Sequence, residues 1–404
     1  MKIIRLLPPT LSLLLVVTAP AQDATPAASP SATPSPSPSA TPGDSAENDE
    51  TGATETNEDK ANSDATPAEG EDSKDERDRL TQLQIFLDDA NFGPGKIDGR
   101  WGEFSRKSLA LYLQSQDKEV PEFTDEVPSE FPVDVSSIEP IYTEYEITQE
   151  DIDSLGEVPS EPEDQAKQDK MPYENLTELV AEKYHVDRDY LATLNEGTAI
   201  DDAKAGDKIT VPNVKVPFNL ADVRARAESE SEESEDSEES NESDEKDASD
   251  DEEKGENTAE ASPSPVKTDA LSILISTADR MLELRENDQL IAAFPITPGS
   301  DSLPAPVGEW KITGISMMPW FRHDEKMLKE GERSDEAHNI PPGPNNAVGI
   351  AWMAINKEGI GIHGTPEPDT IGRSASHGCI RLANWDAARL SEMIEDGTPV
   401  KIEE

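Results

Sequence analysis

The sequence predicts a multidomain chain. Its largest folded unit, residues 267–404, is mainly β with one helix near its C-terminal end, and two smaller units and long acidic segments precede it. Three observations lead there. Only 34% of the 404 residues are hydrophobic and 30% are charged, too few apolar groups to offset ordering entropy along the whole length. The formal net charge of −52 lies mostly upstream of residue 267, and such a polyanion argues against nucleic acid as a partner, because phosphates repel it. Period-two alternation recurs in 267–404, whereas helical spacing recurs in two shorter stretches.

Residues 1–21 read as a secretory signal peptide. Met1-Lys2-Ile3-Ile4-Arg5 gives a basic start, an apolar run follows to Val17, and Ala19-Pro20-Ala21 gives an A-x-A cleavage pattern. The run holds Pro8 and Pro9 and is short for a membrane span, so no integral membrane domain is expected after cleavage. Export places the mature chain in an oxidising compartment, where its one cysteine, Cys379, has no second cysteine to bond. Such a residue is a reactive thiol or an intermolecular link.

Residues 22–75 are rich in Pro, Ser and Thr and then in acidic residues, the composition of a disordered tether. In 76–118, Leu80, Leu83, Ile85, Phe86 and Leu87 mark a helix, residues 92–102 a Gly/Pro turn, and Leu109, Leu111 and Leu113 a second helix. Residues 119–170 are acidic and dotted with Pro, a linker with room for a strand near Tyr142 and Tyr145. In 171–216, Leu176, Leu179, Val180 and Tyr184 form one helical face and Tyr190, Leu191 and Leu194 a second. Gly206-Asp207-Lys208-Ile209-Thr210-Val211-Pro212 closes the unit as a strand, and His185 reads as a surface or packing residue. Residues 217–266 are a disordered Ser/Glu/Asp linker that like charges extend, separating the small units from the last domain.

Within 267–404 the pattern predicts strands at 271–275, 281–285, 289–296, 308–313, 348–354, 361–363 and 399–402. A helix is expected at 385–394 with Ala388, Leu390 and Ile394 inward, and Asn384 as its N-cap. Residues 320–346 have few core-like periods and read as a lid, with Trp320, His323 and His338 shaping it.

The chemistry concentrates in His363, His377 and Cys379. A lone Cys is more often a small buried hydrophobe than a nucleophile. Here it follows His377-Gly378 in an exported chain with no other Cys, and a second His ends a nearby strand. A thiol needs a base at neutral pH, and His363 is placed to supply one. Gly378 lets the backbone turn sharply, so that successive N–H groups converge on one spot, as an oxyanion requires. The alternative is a zinc site of His363, His377 and Cys379. His-x-Cys suits two ligands only in an extended loop, which Gly378 disfavours, so neither metal nor cofactor is expected.

Three resemblances extend this reading. Gly361-Ile362-His363-Gly364-Thr365 and Ser376-His377-Gly378-Cys379-Ile380-Arg381-Leu382-Ala383-Asn384 are similar to the signature of the L,D-transpeptidase catalytic domain of the YkuD type. Pro306-Val307-Gly308-Glu309-Trp310 and the PPGPNN-x-VG string at 341–349 match it further upstream. The IDGRWG turn at 97–102 resembles that of a small three-helix peptidoglycan-binding module. The Ala181-Glu182-Lys183-Tyr184-His185-Val186 turn, Leu194-Asn195 and the G-D-x-I-x-VP ending resemble a LysM domain, implying a βααβ glycan-binding fold whose first strand is weak here.

The first resemblance implies that Cys379 attacks a tetrapeptide stem of peptidoglycan, releases the terminal D-alanine and passes the acyl group to an amine. It implies His363 as general base, the Gly364 carbonyl as the group orienting it, and the N–H groups of His377, Gly378 and Cys379 as oxyanion hole. Ser376, Arg381, Trp320 and His338 are candidate substrate contacts. The setting implied is the periplasm or cell wall. An L,D-carboxypeptidase using water and a non-catalytic wall-binding scaffold stand as alternatives.

Overall fold

The computed structural model describes residues 71–241, 271–299, 303–330, 333–373 and 378–404. The expected signal peptide, the tether up to residue 70, residues 242–266 of the 217–266 segment, and Ser376 and His377 lie outside the described residues. Helix α1 (Glu71–Asp89) is apolar on two sides. Leu80, Leu83 and Leu87 pack toward α2 (Glu103–Ser115) with Leu109 and Leu113, while Ile85 enters the core of the next unit. A helix with two apolar faces needs two partners, so this unit does not stand apart. Gln84 organises the turn between the helices. Its Nε2 donates to Asp98 Oδ1 at 2.8 Å, and its Oε1 accepts from the amides of Asp98 and Gly99 at 3.0 and 2.8 Å.

The stretch expected as an acidic linker, 119–170, is built into the fold instead. Its first part straps the helical unit. Phe123 and Phe131 lie 5.7 and 5.9 Å from the Trp101 ring, centroid to centroid, and Trp101 Nε1 donates to Thr124 O at 2.9 Å. Next comes β1 (Tyr142–Glu146), which pairs antiparallel with β2 (Lys208–Pro212). Between them lie α3 (Gln149–Ser154), α4 (Pro162–Gln165), α5 (Leu176–Lys183) and α6 (Arg188–Leu194). Three of these helices start on side-chain caps: Thr148 with Asp151 as a capping box, Asn175 accepting from Glu178 N, and Asp187 accepting from Tyr190 N. This is the strand for which the sequence left room near Tyr142 and Tyr145; Glu144 and Glu146 point to solvent while the tyrosines anchor it. Tyr142 Oη donates to Asp78 at 2.7 Å, and the Tyr145 ring packs on Tyr184.

Residues 217–266 also begin as structure rather than linker. Helix α7 (Leu220–Asn241) starts there, with Phe218 and Val223 buried in the core of the C-terminal unit. Arg226 donates to Ser391 Oγ and Ser391 O, both at 3.0 Å. The apolar start of the helix and this one arginine dock it; the acidic remainder carried the composition signal.

The C-terminal unit contributes β3 (Leu271–Ser276), β4 (Met281–Glu286), β5 (Gln289–Pro295), β6 (Gly308–Met317), β7 (Phe321–His323), α8 (Glu325–Glu330), β8 (His338–Ile340), β9 (Ala351–Ile355), β10 (Gly361–His363), β11 (Ile380–Arg381), α9 (Asn384–Met393) and β12 (Pro399–Glu403). Eight strands form one sheet in the order β11-β10-β9-β6-β12-β3-β4-β5, and β7 pairs with β8 as a hairpin within the expected lid. Helix α9 covers the sheet with Trp385 and Leu390 fully buried, each worth about 1.5–3 kcal/mol of apolar burial. Among the described residues no helix is long and apolar enough to cross a membrane.

The small units pack directly on this sheet. Gly93 N donates to Ala293 O at 2.8 Å, and Met171 N donates to Pro342 O at 2.9 Å. The centre of the junction is a buried ion cluster. Arg389 of α9 grips both oxygens of Asp88 at 2.9 Å, and His185 Nδ1 lies 2.9 Å from Asp88 Oδ2. The His185 ring stacks on Trp385 at 5.2 Å. Burial alone would raise the Asp88 carboxyl, but Arg389 and His185 outweigh it and hold the group well below the carboxylate range.

Because the folded carboxyl lies below its unfolded value, its stabilisation is complete above about pH 4 and is lost on acidification. Arg389→Met should cost about 3–5 kcal/mol at neutral pH, since it leaves Asp88 buried without its partner. Urea denaturation at pH 7 and pH 4 measures this; the loss should be larger at pH 7.

Candidate active site

Two adjacent short strands carry the candidate residues. β10 and β11 run parallel, with Ile362 opposite Ile380 and His363 opposite Arg381. Cys379 directly precedes β11, so the same register sets it level with Gly361, two residues before His363. β11 is an edge strand, braced from the other side by paired backbone bonds between Thr297 and Arg381, both 3.0 Å. Gly378 has φ +97°, a conformation that L side chains avoid. It provides the sharp entry into the strand that the sequence predicted.

His363 is buried, with 4% of its surface exposed. Its Nδ1 donates to the Gly364 carbonyl at 2.6 Å, which leaves the lone pair of the neutral ring on Nε2. Trp352, its register partner on β9, stacks on the ring at 5.5 Å and 20°. Burial pushes the His363 ring down to about 4; the Gly364 bond opposes this, and the nearby Arg381 charge adds to it. Cys379 is half-buried. Burial raises its thiol, while the Gly361 N–H and Arg381 pull it back. The sulfur lies 3.7 Å from the Gly359 carbonyl, to which it donates. Arg381, the register partner of His363, exerts its charge on both the ring and the thiol. At rest the thiol and the imidazole are both neutral, the ring unprotonated above about pH 4.

Asn384 does not cap α9, as the sequence suggested; Ala383 occupies that position, and Asn384 is the first helical residue. Its fully buried amide is used elsewhere. Oδ1 accepts from Ile350 N at 3.3 Å, and Nδ2 donates to Pro344 O at 3.2 Å and to Glu182 Oε2 at 3.0 Å. It sits so close to the backbone of Gly349 and Gly364 that a Cβ on either would collide with Oδ1.

The other candidates are spread out. Trp320 is 65% exposed just before β7, and His338 on β8 faces His323 across the hairpin. Asn346 ties the base of that hairpin down, with Nδ2 2.8 Å from Pro341 O and Oδ1 accepting from Val348 N at 3.0 Å. Among the described residues no three His, Cys, Asp or Glu side chains gather as a metal site; the zinc alternative needs His377, outside that set. Sequence reasoning missed Trp352 and Glu182. Period-two spacing on a strand paired with the His363 strand pointed toward the first; no local signal pointed to the second.

Residues 271–402 match the YkuD family, the L,D-transpeptidase catalytic domain. The YkuD proteins of Bacillus licheniformis and Bacillus subtilis, whose names assign them to the L,D-transpeptidases, are 32% and 28% identical to this chain over 130 residues. Each match covers 32% of this chain and 64% of the relative. The chain thus spans under two thirds of the length of these curated relatives. YbiS of Escherichia coli K12, also named for this activity, is 29% identical over 135 residues, covering 32% of this chain and 43% of the relative. A solved L,D-transpeptidase from Mycobacterium smegmatis aligns over 33% of this chain and 59% of its own, with 17% identity and a TM-score of 0.28.

With the thiol raised and the imidazole lowered, alkylation of Cys379 by iodoacetamide should rise with pH beyond the range of an ordinary cysteine, with no inflection between pH 5 and 8. An inflection near 6.5 would mean that His363 is charged in the resting site. Gly378→Ala should destabilise the fold by about 1–3 kcal/mol and slow the same alkylation.

Proposed function

We propose that the chain is a cysteine-dependent L,D-transpeptidase of peptidoglycan. The observation that supports this reading most is the parallel β10–β11 pairing, which carries His363 and, one residue before β11, Cys379 on adjacent strands, while Gly364 holds the ring in its Nδ1–H tautomer. In this reading His363 Nε2 takes the thiol proton and Cys379 Sγ attacks the carbonyl of the third residue of a tetrapeptide stem. The N–H groups of His377, Gly378 and Cys379 receive the charge on the carbonyl oxygen. The C–N bond breaks, the D-alanine amine leaves with the proton from His363, and a thioester remains. An amine on a neighbouring stem or a protein then loses a proton to His363, forms the new amide and releases the thiol. With water as acceptor the same steps give an L,D-carboxypeptidase.

The helical unit and the βααβ arrangement of β1, α5, α6 and β2 serve in this reading as peptidoglycan- and glycan-binding modules, raising the local substrate concentration. The basic start, apolar run and A-x-A pattern of residues 1–21 support the periplasm or cell wall as the setting of this activity. The names of the Bacillus and Escherichia relatives support the activity.

Purified protein incubated with sacculi, followed by mass spectrometry of the released stems, tests the proposal. Wild type should release D-alanine and form 3→3 linked stems. Cys379→Ala and His363→Ala should each lose this by at least about a hundredfold, with sacculus binding retained. Linked stems formed by C379A, or loss of activity in wild type on chelation, would overturn the thiol mechanism.

A further inference from the structure

We propose that Glu182, contributed by α5 outside the C-terminal unit, is a positioning residue for the catalytic base: it holds the Asn384 amide in the one orientation that seats Gly364 and, through it, His363. The inference rests on the proposed role of His363 as base.

Glu182 is only 6% exposed, and its carboxylate faces inward across the junction. Oε1 accepts from Tyr173 Oη at 2.6 Å and Oε2 accepts from Asn384 Nδ2 at 3.0 Å. The second donor contact of that Nδ2 is the Pro344 carbonyl. Three groups therefore read the amide by its polarity: a carboxylate and a carbonyl at the nitrogen end, and the Ile350 N–H at the oxygen end. Turned by half a rotation, Asn384 would set its oxygen against the carboxylate and its NH2 against the Ile350 amide. When ionised, the Glu182 carboxylate is the strongest of the three discriminators, because a charged acceptor bonds about twice as strongly as a neutral one.

The oxygen end is what touches the active site. It fills the space over Gly349 and Gly364 that a side chain on either would occupy. The Gly364 carbonyl in turn receives His363 Nδ1 at 2.6 Å. The series Tyr173, Glu182, Asn384, Gly364, His363 is continuous, and its first two members belong to the β1–β2 unit. A second tie runs beside it. Asn345 Nδ2 donates to Pro172 O at 2.7 Å, and Met171 N to Pro342 O at 2.9 Å. Both anchor the loop that carries Pro344 and leads to Gly349. Burial pushes the Glu182 carboxyl up to about 7 against the pull of its hydrogen bonds from Tyr173 and Asn384. A group kept buried at that cost, with both oxygens committed, fits positioning better than adhesion, which an apolar side chain would serve as well.

The test compares Glu182→Met, which keeps the length and removes the acceptor, with Glu182→Gln, whose Oε1 still accepts from Asn384. Three quantities are read for each: thermal midpoint, iodoacetamide alkylation rate of Cys379, and kcat and KM for stem-peptide transfer. E182M should lower kcat and the alkylation rate by on the order of ten- to a hundredfold with KM nearly unchanged, and E182Q should restore both. A role confined to holding the units together would lower the midpoint and leave alkylation and kcat at wild-type levels; that result overturns the proposal. Should E182M fail to fold, Tyr173→Phe, which removes one hydrogen bond from the carboxylate, is read in its place. It should give a smaller loss of the same kind, and wild-type values in folded Y173F overturn the proposal. Transfer by Cys379→Ala would instead sink the underlying enzymatic reading.

Discussion

The amide of Asn384 is the contact on which the rest of the site depends. It lies fully buried where three stretches of chain meet: the loop 341–350, the turn after β10, and helix α5 of the preceding unit. A buried amide with any of its bonds missing costs about 1–3 kcal/mol per unsatisfied group. The three stretches are therefore held to one arrangement, and that arrangement includes the Gly364 carbonyl to which His363 is bonded. A small displacement of any one of them would be felt at the base, because two glycines leave no slack around Oδ1.

Charge inside the protein follows a different rule from charge on its surface. The chain is strongly acidic overall, yet its buried carboxyls are handled one by one. Asp88 is ionised and matched by Arg389 and His185. Asp386, two residues into the same helix, has burial as its dominant influence, which raises it to about 8, so it is largely protonated at neutral pH. At the sheet edge the same desolvation raises the Cys379 thiol and lowers the His363 imidazole. The proton thus rests on sulfur until an incoming group changes the balance; low exposure to water sets the state of Asp386, His363 and Cys379, whereas partner charges override it at Asp88.

The strands and the last helix of the C-terminal unit were legible because each needs only local periodicity. Residues 271–276, 281–286 and 399–403 alternate, and 384–393 follow a helical stripe. His363 and Cys379 stood out as candidates because a Gly-flanked thiol near histidines is unusual chemistry in any fold. Other elements were misread for identifiable reasons. Asn384 stands where an N-cap is common, so the local rule supplied an answer that a buried amide hub overrode. Helix α7 carries its apolar residues only in its first turns, so the average over its segment looked like linker, and the acidic composition of 119–170 hid its packing into the fold, though not the strand near Tyr142 and Tyr145.

Sequence by itself determined which thiol and imidazoles are available, their positions along the chain, and most elements of the C-terminal sheet. Each of these is a property of neighbouring residues. Tertiary structure alone decided that the small units are not independent: Asp88 meets Arg389, and Glu182 meets Asn384, across separations of 301 and 202 residues. Such contacts depend on which faces pack together, and a face carries no label for its partner. The side chains involved are ordinary acids and amides until burial removes water and leaves each other as the only groups that can satisfy them.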